Sequence, residues 1–194
     1  MTKIVGLTGG IGSGKTMIAN YLKSSGIPVY IADEEAKIIM NSSEVVETIK
    51  NQFGNEVFDD TVLNRKKMAQ LVFEFPDKLQ QLNAIVHPKV QIHFENWLKK
   101  QNHYPFIVKE AAILFESGSY KKCDKIITII APLETRIERV LKRDNMSREN
   151  IIKRMQNQWT DEQRVAKSHF VVDNISMEDS HQQIDEILKI LKNQ

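Results

Sequence analysis

The 194-residue sequence has a single cysteine, Cys123, which excludes an intramolecular disulfide and fits a reducing compartment. It has almost no excess charge: 27 basic against 25 acidic residues leave a formal net charge of +2. That balance excludes the strongly basic face by which proteins grip nucleic acid in bulk, but leaves room for a local pocket that takes a small anion. No run approaches the roughly 20 apolar residues that span a bilayer. No basic start leads into an apolar stretch and a small-residue cleavage site. The expected location is therefore cytoplasmic, with no membrane or nucleic-acid partner. Internal repeats, low-complexity tracts and Gly/Ser linkers are also missing. Glycine is scarce, with eight in the chain, yet five of the eight crowd into residues 6–14. What is present, 41% hydrophobic and 27% charged residues, is ordinary for a globular protein with a real core.

Five short apolar runs have the pattern of parallel strands buried on both faces: residues 4–8, 27–32, 106–110, 125–131 and 170–173. Helical patterns separate them, including 15–23 and 180–191, where Ile184, Ile187, Leu188 and Leu191 share a face. This alternation predicts an α/β fold with a parallel sheet. Two stretches interrupt it. Residues 33–102 show only helical patterns (34–40, 44–53, 66–73 and 76–99) and are too long for one crossover helix. Residues 133–167 read as a pair of charged helices around a break at Asp144-Asn145, in the manner of a mobile flap. The expected organisation is a single unit. Its core is 1–32, 103–132 and 168–194, with a helical insertion at 33–102 and a lid at 133–167.

The glycine-rich stretch reads GLTGGIGSGKT. Two glycines five apart followed by Lys and Thr, between a strand and a helix, form a phosphate-binding loop. Glycines let backbone N–H groups approach phosphate oxygens without a clashing Cβ, and the following helix N-terminus adds partial positive charge. Gly10, Ile11, Gly12, Ser13, Gly14, Lys15, Thr16 and Met17 are the candidate ATP-binding residues. Lys15 would bridge the β- and γ-phosphates, and the Thr16 hydroxyl would ligate Mg²⁺. Thr8, just before the loop, is either a β-branched strand residue or a polar member of the catalytic site.

No guanine-reading Asn-Lys-x-Asp is present, which argues against a GTPase. A kinase of a small metabolite needs an acceptor pocket, a base and cations around the transferring group. Asp33, after the second strand, is a candidate base or an N-cap. Glu34 and Glu35 suit the first turn of a helix. Arg136, Arg139 and Arg143 fall on one helical face, with Ile137, Val140 and Leu141 on another. These arginines either close over ATP or form a solvated face, and Arg154 and Arg164 have weaker claims. Glu110 either helps hold Mg²⁺ through water or faces solvent at a strand end. His87, beside Pro88 at a bend in the insertion, reads first as structural. Cys123 has no nearby metal-ligand partner.

In these residues the chain resembles the dephospho-CoA kinases over nearly its whole length. The likeness rests on six segments in order: GLTGGIGSGKT, IADEEAK, VHP, ILFESGSYKKCDKII, RVLKRD and HFVVDN. It implies a P-loop NTPase fold, a five-stranded parallel sheet flanked by helices, with a helical acceptor-binding insertion and a helical lid. It implies ATP-dependent phosphorylation of the ribose 3′-hydroxyl of dephospho-CoA, giving CoA and ADP, with Mg²⁺. By the resemblance Asp33 is the base, Arg139 the lid arginine, and Arg143 a further ATP contact. His87, Pro88, Leu114, Phe115 and Glu116 border the acceptor, and Asn174 lies near the adenine. One departure is Ala112, where the family often has proline. The rival expectations are a kinase of another small acceptor, of the nucleoside monophosphate or shikimate type, and a nucleotide-dependent switch with no acceptor.

Overall fold

The structure is a computed structural model that describes residues 2–144 and 146–193. It divides into two compact units, one formed by Met1–Ile31 with Gln101–Gln194 and the other by Ala32–Lys100.

The first unit is built on a five-stranded sheet. Its strands are β1 (Lys3–Thr8), β2 (Val29–Ile31), β5 (Phe106–Glu110), β6 (Lys125–Ile130) and β7 (Phe170–Asp173), in the order β2-β5-β1-β6-β7. Every pairing is parallel. β1 lies at the centre, and its last four residues, which lead into the glycine-rich turn, are buried. The five expected strands all form. The second is shorter than expected because Pro28 has no N–H for the ladder and Ala32 already belongs to a helix. Helices α1 (Lys15–Ser24) and α9 (Met177–Lys192) pack together and against the sheet. Their buried faces, Ile18, Ala19 and Leu22 with Ile184, Ile187, Leu188 and Leu191, join Val5, Leu7, Val108, Ile127 and Ile129 in one core. α9 begins three residues before the expected start, because the Ser176 side chain caps it by accepting from Asp179 N at 3.1 Å.

Between β6 and β7 lie three helices, α6 (Leu133–Arg143), α7 (Arg148–Gln156) and α8 (Asp161–Val165), where the charge pattern suggested two. A capping box starts α8: Thr160 Oγ1 accepts from Gln163 N, and Gln163 Oε1 accepts from Thr160 N. Of the expected break at Asp144-Asn145, Asp144 ends α6 as its cap, and Asn145 lies outside the described residues.

The second unit contains α2 (Ala32–Ile39), α3 (Ser43–Phe53), α4 (Arg65–Glu74) and α5 (Pro76–Lys99). It also holds a small hairpin of β3 (Phe58–Asp59) and β4 (Val62–Leu63), which the helical reading did not include. Two-residue strands carry no detectable alternation, and the turn depends on Asp60 taking a left-handed φ of 54°. A core of Val45, Ile49, Phe53, Val57, Phe58, Leu63, Met68, Leu82 and Val86 holds the unit together. α5 continues across Pro88 where a bend was expected. Leu82, Val86, Val90 and Phe94, spaced by four, keep one face of the helix packed on either side of the proline, which itself is exposed.

Candidate active site

The site grows from the end of β1. Thr8 is fully buried, and its Oγ1 donates to the Ala111 carbonyl at 2.9 Å, tying the loop entrance to the exit of β5. That bond gives Thr8 a framework task. The chain then turns through Gly9–Gly14 and enters α1 at Lys15. Gly12 and Gly14 show why the turn needs glycine. Gly12 has φ 78°, and a Cβ there would lie 2.4 Å from the Arg136 carbonyl oxygen. Gly14 has φ 96°, and its Cβ would lie 1.9 Å from Asn174 Nδ2.

Lys15 Nζ donates to the carbonyls of Gly9 (2.8 Å) and Gly10 (3.2 Å), folded back over its own loop. Ser13 is buried, and among the described residues its Oγ has no hydrogen-bond partner. A glycine cradle at a helix N-terminus, a lysine on its rim and an orphaned hydroxyl within it fit a polyphosphate. Thr16 is exposed on the first turn of α1, where its hydroxyl is a hard oxygen donor of the kind Mg²⁺ prefers. Met17 is half-buried and packs against the core, so it supports α1 from the inside. Glu110 is buried, not the solvent-facing strand end that was one of its two readings.

The three arginines of α6 do three different things. Arg136 is buried: its Nε donates to Ile11 O at 2.9 Å, and its Nη1 to Asp161 Oδ2 at 2.9 Å. Burial, together with nearby Arg164, pushes its pKa down, and Asp161 opposes the shift. Arg139 is half-buried, and its Nη2 donates to Asn174 O at 3.0 Å, with Nη1 3.5 Å from Ser13 O. Arg143 is exposed and makes a paired contact with Asp144 through Nε and Nη2. So Arg139 stands beside the phosphate loop, Arg136 lies beneath it, and Arg143 turns to its neighbour. Ile137 and Val140 are buried as expected, whereas Leu141 is exposed. Arg154 is exposed as well.

Asn174 reaches the loop from the end of β7. Its Nδ2 donates to Ser13 O at 2.7 Å and its Oδ1 accepts from Ser180 Oγ at 2.9 Å. Both ends of this buried side chain are thus engaged, and they tie the loop to α9.

The segment after β5 forms successive turns despite Ala112. Ser117 N donates to Ile113 O, and Gly118 N to Phe115 O. Leu114 and Phe115 are buried, with Phe115 stacked on Trp159 at a centroid distance of 5.2 Å. Glu116 Oε1 accepts from Trp159 N (2.8 Å) and from Arg164 Nη2 (3.2 Å). Arg164, fully buried, also donates to Asp161 Oδ1 at 3.3 Å. Trp159 and Asp161, and Gln158, whose Oε1 accepts from Ile11 N at 2.9 Å, are thus site-framework residues that no sequence pattern flagged. The capping box before α8 was the one local signal nearby.

In the second unit, Asp33 lies two residues beyond the last residue of β2, exposed in the first turn of α2. Since α2 starts at Ala32, Asp33 is inside the helix and is not its cap. α2 is held locally by Arg65 Nη2, which donates to Lys37 O at 2.9 Å, and by the Glu35–His93 pair at 3.6 Å. His87 and Pro88 are exposed on α5; desolvation lowers the pKa of His87 from its ordinary value. Among the described residues no three His, Cys, Asp or Glu side chains gather to hold a metal, and no helix is long and apolar enough to cross a membrane. Cys123 is half-buried, its thiol pushed up to about 11 by desolvation, and its Sγ donates weakly to Ser119 O at 3.8 Å.

The family model for dephospho-CoA kinase matches residues 3–179. A curated dephospho-CoA kinase of Fusobacterium nucleatum is 40% identical over 184 residues, which are 94% of this chain and 95% of that protein. Among solved structures, the Thermus thermophilus protein TT1252 superposes with a TM-score of 0.90 at 31% identity, covering 97% of each chain. Dephospho-CoA kinase from Campylobacter jejuni superposes with a TM-score of 0.71 at 25% identity, covering 100% of this chain and 99% of its own.

Proposed function

The chain belongs to the dephospho-CoA kinase family, and we propose that it transfers the γ-phosphoryl group of ATP to the ribose 3′-hydroxyl of dephospho-CoA. The observation that carries the reading is the glycine cradle at residues 9–16, wrapped by Arg139 and Asn174, in a chain matched along residues 3–179 by that family.

The residues divide the work as follows. Backbone N–H groups of the loop and the start of α1 bind the phosphates. Lys15 leaves the carbonyls of Gly9 and Gly10, where its ammonium rests, and moves to the β- and γ-oxygens. Arg139, already beside Ser13 and Asn174, covers the transferring group. Thr16 would hold Mg²⁺, with Glu110 acting through water, and the ion would supply charge neutralisation at the phosphate oxygens. Asp33 accepts the 3′-hydroxyl proton. The acceptor oxygen bonds to the γ-phosphorus as the bond to the β–γ bridging oxygen breaks, and ADP leaves with that electron pair.

Asp33, His87 and Pro88 are the proposed acceptor residues of residues 33–102, and Glu116 that of the turn after β5. Leu114 and Phe115 are buried and act as the packed base of that turn. Residues 133–167 form the proposed lid. Its first helix is tied to the phosphate loop through Arg136 and its last segment through Gln158. α7 is anchored as well, through Ile151 in the cluster that packs against Ile11. Initial rates of ADP release with dephospho-CoA, AMP and shikimate as acceptors test the function. The expected outcome is rapid turnover with dephospho-CoA alone, and a preference for either other acceptor would overturn it.

A further inference from the structure

Glycine-rich loops bind phosphate only if something fixes them, because a run of glycines has many conformations to lose. In this loop Gly9, Gly10, Gly12 and Gly14 offer no side chain to hold. Ile11 does, and each of its three parts is engaged by residues 136–158. Its N–H donates to Gln158 Oε1 at 2.9 Å. Its carbonyl accepts from Arg136 Nε at 2.9 Å. Its side chain packs against the buried cluster of Ile137, Val140 and Ile151. Arg136 is in turn fixed by Asp161, and Asp161 by Arg164, which also reaches Glu116. One connected set of contacts thus joins the phosphate loop to the turn after β5.

We propose that Gln158 is a positioning residue for ATP: it holds the Ile11 peptide, and through it the phosphate loop, in the shape that receives the nucleotide. Because the Ile11 N–H is spent on Gln158, it is not one of the loop donors aimed at phosphate. Gln158 therefore acts on ATP through loop order, not through contact. Order established before binding need not be created during it, and this strengthens binding. The proposal rests on the reading that residues 9–16 bind ATP.

The test uses Gln158→Met, which keeps the length of the side chain and removes the acceptor, and Gln158→Glu, which restores an oxygen acceptor. Gln158 is only half-buried, so both variants keep the fold. Amide hydrogen exchange followed by NMR on nucleotide-free protein reads the Ile11 N–H directly. ATP binding without acceptor is measured by calorimetry. In Gln158→Met the Ile11 amide should exchange about tenfold faster or more, and ATP should bind about three- to tenfold more weakly, the scale of one lost hydrogen bond. KM for dephospho-CoA should stay within about twofold, since that acceptor does not depend on the loop. Gln158→Glu should restore Ile11 protection. Unchanged exchange at Ile11 in Gln158→Met, or faster exchange with unchanged ATP affinity, overturns the proposal alone. A wild-type protein that binds no ATP overturns the functional reading and the proposal with it.

Discussion

Replacing Gly14 by alanine should cost two separable amounts. The first is backbone strain: φ is 96°, where an L-residue with a Cβ is disfavoured by about 1–2 kcal/mol. The second is steric. The new Cβ would lie 1.9 Å from Asn174 Nδ2, so the Asn174 side chain must leave. It would abandon its bonds to Ser13 O at 2.7 Å and from Ser180 Oγ at 2.9 Å. At about 1 kcal/mol each, with more for buried groups left unpaired, that adds roughly 2–3 kcal/mol. Gly14→Ala should thus destabilise by about 3–5 kcal/mol. Asn174→Ala alone loses the same two bonds and should cost about 2–4 kcal/mol. In the double variant the bonds are lost only once and the clash is gone, so only the strain is added. The cycle should show a favourable coupling of about 2–3 kcal/mol, the cost of the two bonds counted once. Urea denaturation of the four proteins, with m-values compared, measures it. Additive costs, within about 0.3 kcal/mol, would refute the claim that Asn174 is what excludes a side chain at Gly14.

Two further outcomes follow from other residues. Asp33→Asn should leave ATP affinity nearly intact and lower kcat by about 10²–10⁴, the range of a lost general base; stopped-flow turnover beside calorimetry decides it, and undiminished kcat removes Asp33 from the chemistry. Burial raises the Cys123 thiol from near 9 to about 11, so the folded state holds that proton more tightly than the unfolded chain. This contribution to stability is fully present below pH 9 and is lost as pH rises through 11, an amount of about 2–3 kcal/mol from the shift of roughly two units. Cys123→Ala should therefore lose less stability than wild type between pH 9 and 11 in denaturation curves, and parallel losses would contradict the thiol's role.

Much of the sheet was legible because strands buried on both faces are mostly apolar runs, as Val5–Leu7 and Ile126, Ile127 and Ile129 show. The phosphate loop was legible because its chemistry demands glycine, lysine and a hydroxyl at fixed spacing. Less visible were features set by contacts distant in sequence. Helical spacing put Arg136 on one face with Arg139 and Arg143. Only the fold shows that Arg136 lies buried beneath the loop while Arg143 bonds its neighbour. The Ile11–Gln158 bond spans 147 residues, and nothing local at either end announces it. Asp161 carried no signal, and Glu116 stood out only as an acceptor neighbour implied by the resemblance; that both share the buried Arg164 is visible only in the fold. The β3–β4 hairpin escaped because its register rests on one left-handed residue, Asp60, and not on a hydrophobic pattern.

The proposed reaction transfers one phosphoryl group to one hydroxyl. It is tested most directly by incubating the protein with MgATP and dephospho-CoA, weighing the product by mass spectrometry and locating the new phosphate by ³¹P NMR. The expected product has gained one phosphoryl group, carried on the ribose 3′-oxygen, with ADP formed in equal amount. Folded, ATP-binding protein that leaves dephospho-CoA unmodified, or that phosphorylates it elsewhere, would rule out the proposed reaction.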